Sequence, residues 1–132
     1  PILLKISPDI PYTQLDEIID TILVSGLDGV IATNTTISRD GLKTDNKTLD
    51  TIGTGGLSGA PLFKKTLDFV SYIARKTGGS LPIIASGGIM SPQQAKQMLN
   101  AGASLVQVYS GFIYNGPGFV KKINKYLAKN IK

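Results

Sequence analysis

Leu81-Pro82-Ile83-Ile84-Ala85-Ser86-Gly87-Gly88 and Ser104-Leu105-Val106-Gln107-Val108-Tyr109-Ser110-Gly111 decide the fold. Each is a short apolar run that ends in small residues and is followed by a helix signal. Strands that feed helices in this way build a parallel βα array. Gly and Ser at two consecutive strand ends, beside helix N-termini, suit a phosphate. The first backbone N–H groups of a helix lack intrahelical partners, and the helix dipole favours an anion. In an eight-stranded βα barrel that site follows the last two strands. The expected class is therefore α/β, with parallel βα repeats forming the C-terminal half (strands 5–8) of a (β/α)8 TIM barrel.

Outward from these segments, four βα units can be traced. The first strand is expected over Ile2 to Ser7. A helix follows, with Thr13 as N-cap and Asp16 at N3. Leu15, Ile18, Ile19, Ile22 and Leu23 recur at helical spacing, and Gly26 is a natural stop. Gly29 to Thr33 reads as the second strand, continuing into Asn34-Thr35-Thr36. A polar segment from Ile37 to Gly59 then interrupts the pattern. Connections in α/β units usually run about 2–6 residues, so a segment this long reads as a ligand loop or lid rather than a tolerated insertion. Pro61 suits the first turn of the next helix, with Phe63, Leu67, Val70 and Ala74 as its buried stripe and Gly78-Gly79 as its end. The third strand is expected over Pro82 to Ser86. Ser91, Pro92 and Gln94 supply N-cap, N1 proline and N3 partner for a helix that Gly102 stops. The fourth strand is expected over Leu105 to Tyr109. A last helix is expected from about Pro117, burying Phe119, Val120, Ile123 and Leu127.

Size and composition narrow the reading. The chain has 132 residues, 42% of them hydrophobic, which is enough for a packed core and argues against disorder. A whole barrel needs about 250 residues, so residues 1–132 are expected to be one half-barrel of a longer protein whose N-terminal half is not in this sequence. There is no Cys and no His. That removes disulfides, thiol nucleophiles, Cys/His metal sites and imidazole acid–base chemistry from these residues. The net charge of +5 suits an anionic ligand, a membrane surface or nucleic acid. Lys121, Lys122, Lys125 and Lys129 carry much of it on the last helix. No aromatic residues interleave with them as single-strand nucleic-acid binding requires, so they read as a solvated face and no nucleic-acid partner is expected. No apolar run reaches the ~18 residues of a membrane span.

Four places can carry chemistry. Lys5 lies on an apolar strand and shares a face with Leu3. Pointing inward, it either stabilises negative charge on a ligand or snorkels to the barrel mouth. Thr33, Asn34 and Thr35 end the second strand, where binding residues of barrel enzymes arise. Asn offers both donors and an acceptor to a planar amide or carboxylate. Gly55-Gly56-Leu57-Ser58-Gly59, Gly87-Gly88 and Tyr109-Ser110-Gly111 would converge on one face and allow an anion close to the backbone. Tyr109 is alternatively a core residue.

In this order, Leu-Leu-Lys5-Ile-Ser-Pro-Asp, Thr33-Asn34-Thr35-Thr36, Gly55-Gly56-Leu57-Ser58-Gly59 with Pro61-Leu62, Gly87-Gly88 and Leu105-Val106-Gln107-Val108-Tyr109-Ser110-Gly111 resemble class 2, quinone-dependent dihydroorotate dehydrogenase. The resemblance covers essentially the whole chain and implies oxidation of dihydroorotate to orotate in pyrimidine biosynthesis, with FMN as cofactor and quinone as acceptor. By resemblance, Lys5 contacts FMN near its N1/O2 edge and so tunes the flavin. Thr33, Gly59 and Gly88 are further FMN contacts, and Tyr109 and Ser110 hold its phosphate through backbone N–H groups. Asn34 and Thr35 hold the orotate or dihydroorotate ring. No metal is implied. The family's catalytic base, a serine, and its quinone tunnel belong to the N-terminal half, so no catalytic residue is assigned to this chain and it is expected to be inactive alone. The parent protein is expected to be cytoplasmic or peripheral at the inner face of the cell membrane. Two other readings stay open: a phosphate-gripping barrel without flavin, and a non-catalytic half-barrel that self-associates through its open strand edges.

Overall fold

The computed structural model describes residues 1–130. Four parallel strands lie in sequential order: β1 (Leu3–Ile6), β2 (Gly29–Ala32), β3 (Ile83–Ser86) and β4 (Leu105–Gln107). Six α-helices accompany them: α1 (Tyr12–Ser25), α2 (Asn46–Ile52), α3 (Phe63–Lys76), α4 (Pro92–Asn100), α5 (Ser110–Asn115) and α6 (Phe119–Asn130). β1, β2 and β4 end one or two residues short of the expected limits, because the chain turns away where the ligand-facing loops begin, whereas β3 ends at Ser86 as expected.

Period-2 alternation splits the sheet into two unlike faces. Ile6, Val30, Ala32, Ile83 and Ala85 are buried and pack in one core with Leu15, Ile19 and Ile22 of α1, Phe69, Val70 and Ile73 of α3, Ala95 and Met98 of α4, and Phe119 and Ile123 of α6. Full burial of each Val, Leu, Ile, Phe or Met side chain among them contributes about 1.5–3 kcal/mol. On the other face Lys5, Ile31, Ile84 and Leu105 stand side by side in register. No helix covers that face among the described residues, and Leu105 there is 61% exposed.

Several local expectations are corrected. Thr13 is not the N-cap of α1. Pro11 holds that place with no side-chain cap. Asp16 instead accepts from the Tyr72 hydroxyl (2.8 Å) and pairs with Lys76 (2.9 Å), tying α1 to α3. Leu23 and Val120 are exposed rather than buried, and Leu67 and Ala74 are only partly covered, while Phe69 and Ile73 carry the deepest burial of α3. The polar segment contains a helix, α2, capped by Asp45, whose carboxylate accepts from the Thr48 N–H (3.0 Å) and hydroxyl (2.8 Å). The residues after β4 coil at once into α5, well before Pro117. At Ser91 the expected cap forms. Its hydroxyl accepts from the Gln94 N–H (3.2 Å), and Gln94 reaches back to the Met90 N–H (2.7 Å). The four lysines of α6 are exposed, as a solvated face requires.

Candidate functional site

At the C-terminal ends of all four strands lies a cavity of about 310 Å³. Lys5, Thr33, Asn34, Thr35, Gly59, Gly88, Tyr109 and Ser110 all line it. Residues far apart in sequence meet here because parallel strands send all their C-terminal loops to one end of the sheet. Lys5 comes from β1, Thr33 to Thr35 follow β2, Gly88 follows β3, and Tyr109 and Ser110 follow β4. Gly59 arrives on the long loop that leads into α3.

The walls differ in chemistry. Lys5 is the only charged residue among those lining the cavity, and its ammonium has no ion-pair or hydrogen-bond partner among the described residues. A lone cation facing no carboxylate favours a negatively charged ligand. Asn34 and Thr35 are exposed, and their side chains make no internal hydrogen bond among the described residues. Their donors and acceptors are therefore free for a ligand. Opposite them, Ser110 and Gly111 occupy the first turn of α5, where backbone N–H groups have no intrahelical acceptor. Tyr109 is 79% exposed, which removes the core alternative for its ring.

Thr33 meets the cavity differently from its neighbours. It is 2% exposed, and its hydroxyl turns toward α3, bonding the buried Thr66 hydroxyl (3.2 Å). Its N–H donates to the Ser86 carbonyl (2.6 Å), and the Asn34 N–H donates to the Ile6 carbonyl (2.8 Å). Thr33 thus offers the cavity backbone, whereas Asn34 and Thr35 offer side chains.

Two glycines set the shape. A Cβ on Gly88 would lie 2.4 Å from the Phe63 Cα, so only glycine lets this turn press against the start of α3. A Cβ on Gly56 would lie 2.1 Å from the Thr35 hydroxyl oxygen. The glycine loop therefore leans directly on Thr35. Its root is fixed by a bridge between Thr36 and Leu57, and Arg39 binds the Gly55 carbonyl across the loop. Nearby, the Ser58 and Ser110 hydroxyls meet at 2.9 Å.

Behind this wall sits Asp9. Its carboxylate accepts from the Thr36 hydroxyl (2.5 Å), the Ile37 N–H (2.8 Å) and the Lys65 ammonium (2.8 Å). Burial pushes its pKa up, but the bonds from Lys65, Thr36 and Ile37 together outweigh burial and hold the carboxyl below its ordinary range. Sequence reasoning also passed over Ser86 and Gln107, which line the cavity. They were readable only as inward positions at the ends of β3 and β4.

The dihydroorotate dehydrogenase family model matches residues 1–131. The quinone-dependent dihydroorotate dehydrogenase of Nocardia farcinica is 46% identical over 132 residues, covering 100% of this chain and 36% of that protein. That of Christiangramia forsetii is 49% identical, covering 99% of this chain and 38% of the relative. The chain thus spans a little over a third of the length of these relatives. Among solved structures, the DHODH of Eimeria tenella in complex with ferulenol superposes with a TM-score of 0.87 at 40% identity, over 96% of this chain and 33% of that one.

Proposed function

Because the chain belongs to the dihydroorotate dehydrogenase family, we propose that it forms strands five to eight of a quinone-linked dihydroorotate dehydrogenase barrel and supplies the FMN and orotate grips of that enzyme. The observation that carries this reading is the single unpaired cation, Lys5, at a cavity whose other lining groups are neutral donors and glycine turns. Those residues suit FMN. An isoalloxazine edge that gains negative charge on reduction finds Lys5, and a phosphate finds the free N–H groups at the start of α5. Gly59 and Gly88 let the backbone approach the flavin, Thr33 contributes main chain, and Tyr109 and Ser110 hold the phosphate.

Bound FMN supplies the two-electron acceptor for oxidation of dihydroorotate to orotate. The residues of this chain orient the reactants. Asn34 can donate its amide N–H groups to a ring carbonyl or carboxylate and accept from a ring N–H. Thr35 adds one hydroxyl beside it. Lys5 stabilises developing negative charge at the cavity. The family's base is a serine outside this chain, so by that resemblance proton abstraction is assigned there, and the chain alone is expected to be inactive. Quinone reduction and any membrane association are likewise assigned to the rest of the parent protein. No helix among the described residues is long and apolar enough to cross a membrane.

Titration of FMN into the chain, alone and co-expressed with the remaining part of a relative's barrel, tests this reading. Saturable binding that inorganic phosphate weakens, with dihydroorotate-dependent dye reduction only in the assembled barrel, is the expected result. No flavin binding in either form overturns it. Dye reduction by the chain alone overturns the assignment of the base elsewhere.

A further inference from the structure

We propose that Asp9 is the positioning residue of the orotate grip, fixing Asn34 and Thr35 by clamping the end of their loop. The segment from Thr33 to Ile37 is held at nearly every residue. Thr33 is pinned by Thr66 and Ser86, Asn34 by the Ile6 carbonyl, and Thr36 by the paired main chain of Leu57. Asp9 adds the bonds that set the far end. One oxygen takes the Thr36 hydroxyl and the Lys65 ammonium, and the other takes the Ile37 N–H. Between these anchors Asn34 is held through its main chain only, and Thr35 makes no hydrogen bond among the described residues.

The clamp joins three elements. Asp9 belongs to the turn after β1, the strand that carries Lys5. Thr36 and Ile37 continue the loop after β2. Lys65 lies on α3, whose leading turn carries Gly59 and Leu62 into the cavity. The Asp9 side chain is 18% exposed, so water competes weakly for its oxygens. Hydrogen bonds to a charged group are the strong ones. Loss of the clamp leaves the Thr36 end held by its pairing with Leu57 alone while Thr33 stays anchored, and the side chains between them lose part of their aim. A grip whose groups drift by about 1 Å loses much of its binding and rate advantage.

This inference rests on the proposal that Asn34 and Thr35 hold orotate, and the experiment separates the two. In the full-length protein, orotate affinity is measured by calorimetry for Asp9→Asn, Thr36→Val, Thr36→Ser and Asn34→Ala, with bound FMN and melting temperature recorded for each. Expected are an orotate Kd raised about tenfold in Asp9→Asn and Thr36→Val, near-normal binding in Thr36→Ser, which keeps the hydroxyl, and retained FMN throughout. If Asp9→Asn does not fold, the Thr36 pair reads the same bond from its other side. Unchanged orotate affinity in Thr36→Val, or loss of FMN in step with orotate, overturns the positioning role. If Asn34→Ala binds orotate normally, the reading of the grip fails instead, and with it the role that Asp9 is given.

Discussion

Gly56→Ala isolates the contact between the glycine loop and the proposed orotate grip. Gly56 has no unusual backbone conformation, so alanine is not strained there. Its Cβ, however, would stand 2.1 Å from the Thr35 hydroxyl oxygen and 2.7 Å from the Thr35 Cβ. Ordinary contact begins at 3.4 Å, so the two groups must separate by about 1.3 Å, the difference between 3.4 and 2.1. A hydroxyl moved that far cannot keep a ligand hydrogen bond. A bond to a charged ligand is worth about 1.5–3 kcal/mol. At about 1.4 kcal/mol per decade, orotate affinity should fall roughly 10- to 100-fold. The backbone adds no penalty there, so any loss of stability should come only from relieving this one overlap at the exposed Thr35. Calorimetric titration of orotate into the full-length protein, with a melt on the same sample, reads both quantities. Gly55→Ala is the control, because its added Cβ meets nothing within 4 Å. Wild-type affinity in Gly56→Ala would refute the reasoning. So would an equal loss when Gly56→Ala is made in a Thr35→Val background, where no hydroxyl remains to displace.

Gly88→Ala should cost at least about 1–3 kcal/mol, because it combines a left-handed φ of 69° with a Cβ driven into the Phe63 backbone. An unchanged urea midpoint would contradict that. Acid stability should follow Asp9 and Asp16. Their folded-state values lie below the ordinary 3.8, Asp9 because its hydrogen bonds override burial and Asp16 chiefly through Lys76 and then Tyr72. Their contribution is therefore complete above pH 3.8 and is lost as pH falls through the lower folded values. Urea midpoints measured from pH 6 down to about pH 2 should decline there, and less steeply in Asp9→Asn.

The four βα units were legible in the sequence because each strand is a short apolar run followed by an amphipathic stretch, and local hydrophobic period is a property of neighbouring residues. The Ser91 cap was legible for the same reason: Ser91 and Gln94 are three residues apart and need only each other. The Asp45 cap of α2 carried a similar signal, Asp with Thr three residues on, but no buried face supported it. α5 was hidden because one and a half turns, with Phe112, Ile113 and Tyr114 all exposed, show no helical period. The eight candidate site residues were named from ordered motifs, and tertiary structure alone gathered them at one cavity, since convergence at one end of the sheet depends on parallel pairing across dozens of residues. Only the fold decided that Thr33 turns its hydroxyl to Thr66 while Asn34 and Thr35 stay free, and only the fold brought Asp9 against Thr36 and Lys65, 27 and 56 positions away. A carboxylate partnered at that separation leaves no periodic trace. Its role comes from where packing sets it down, not from the residues beside it in the chain.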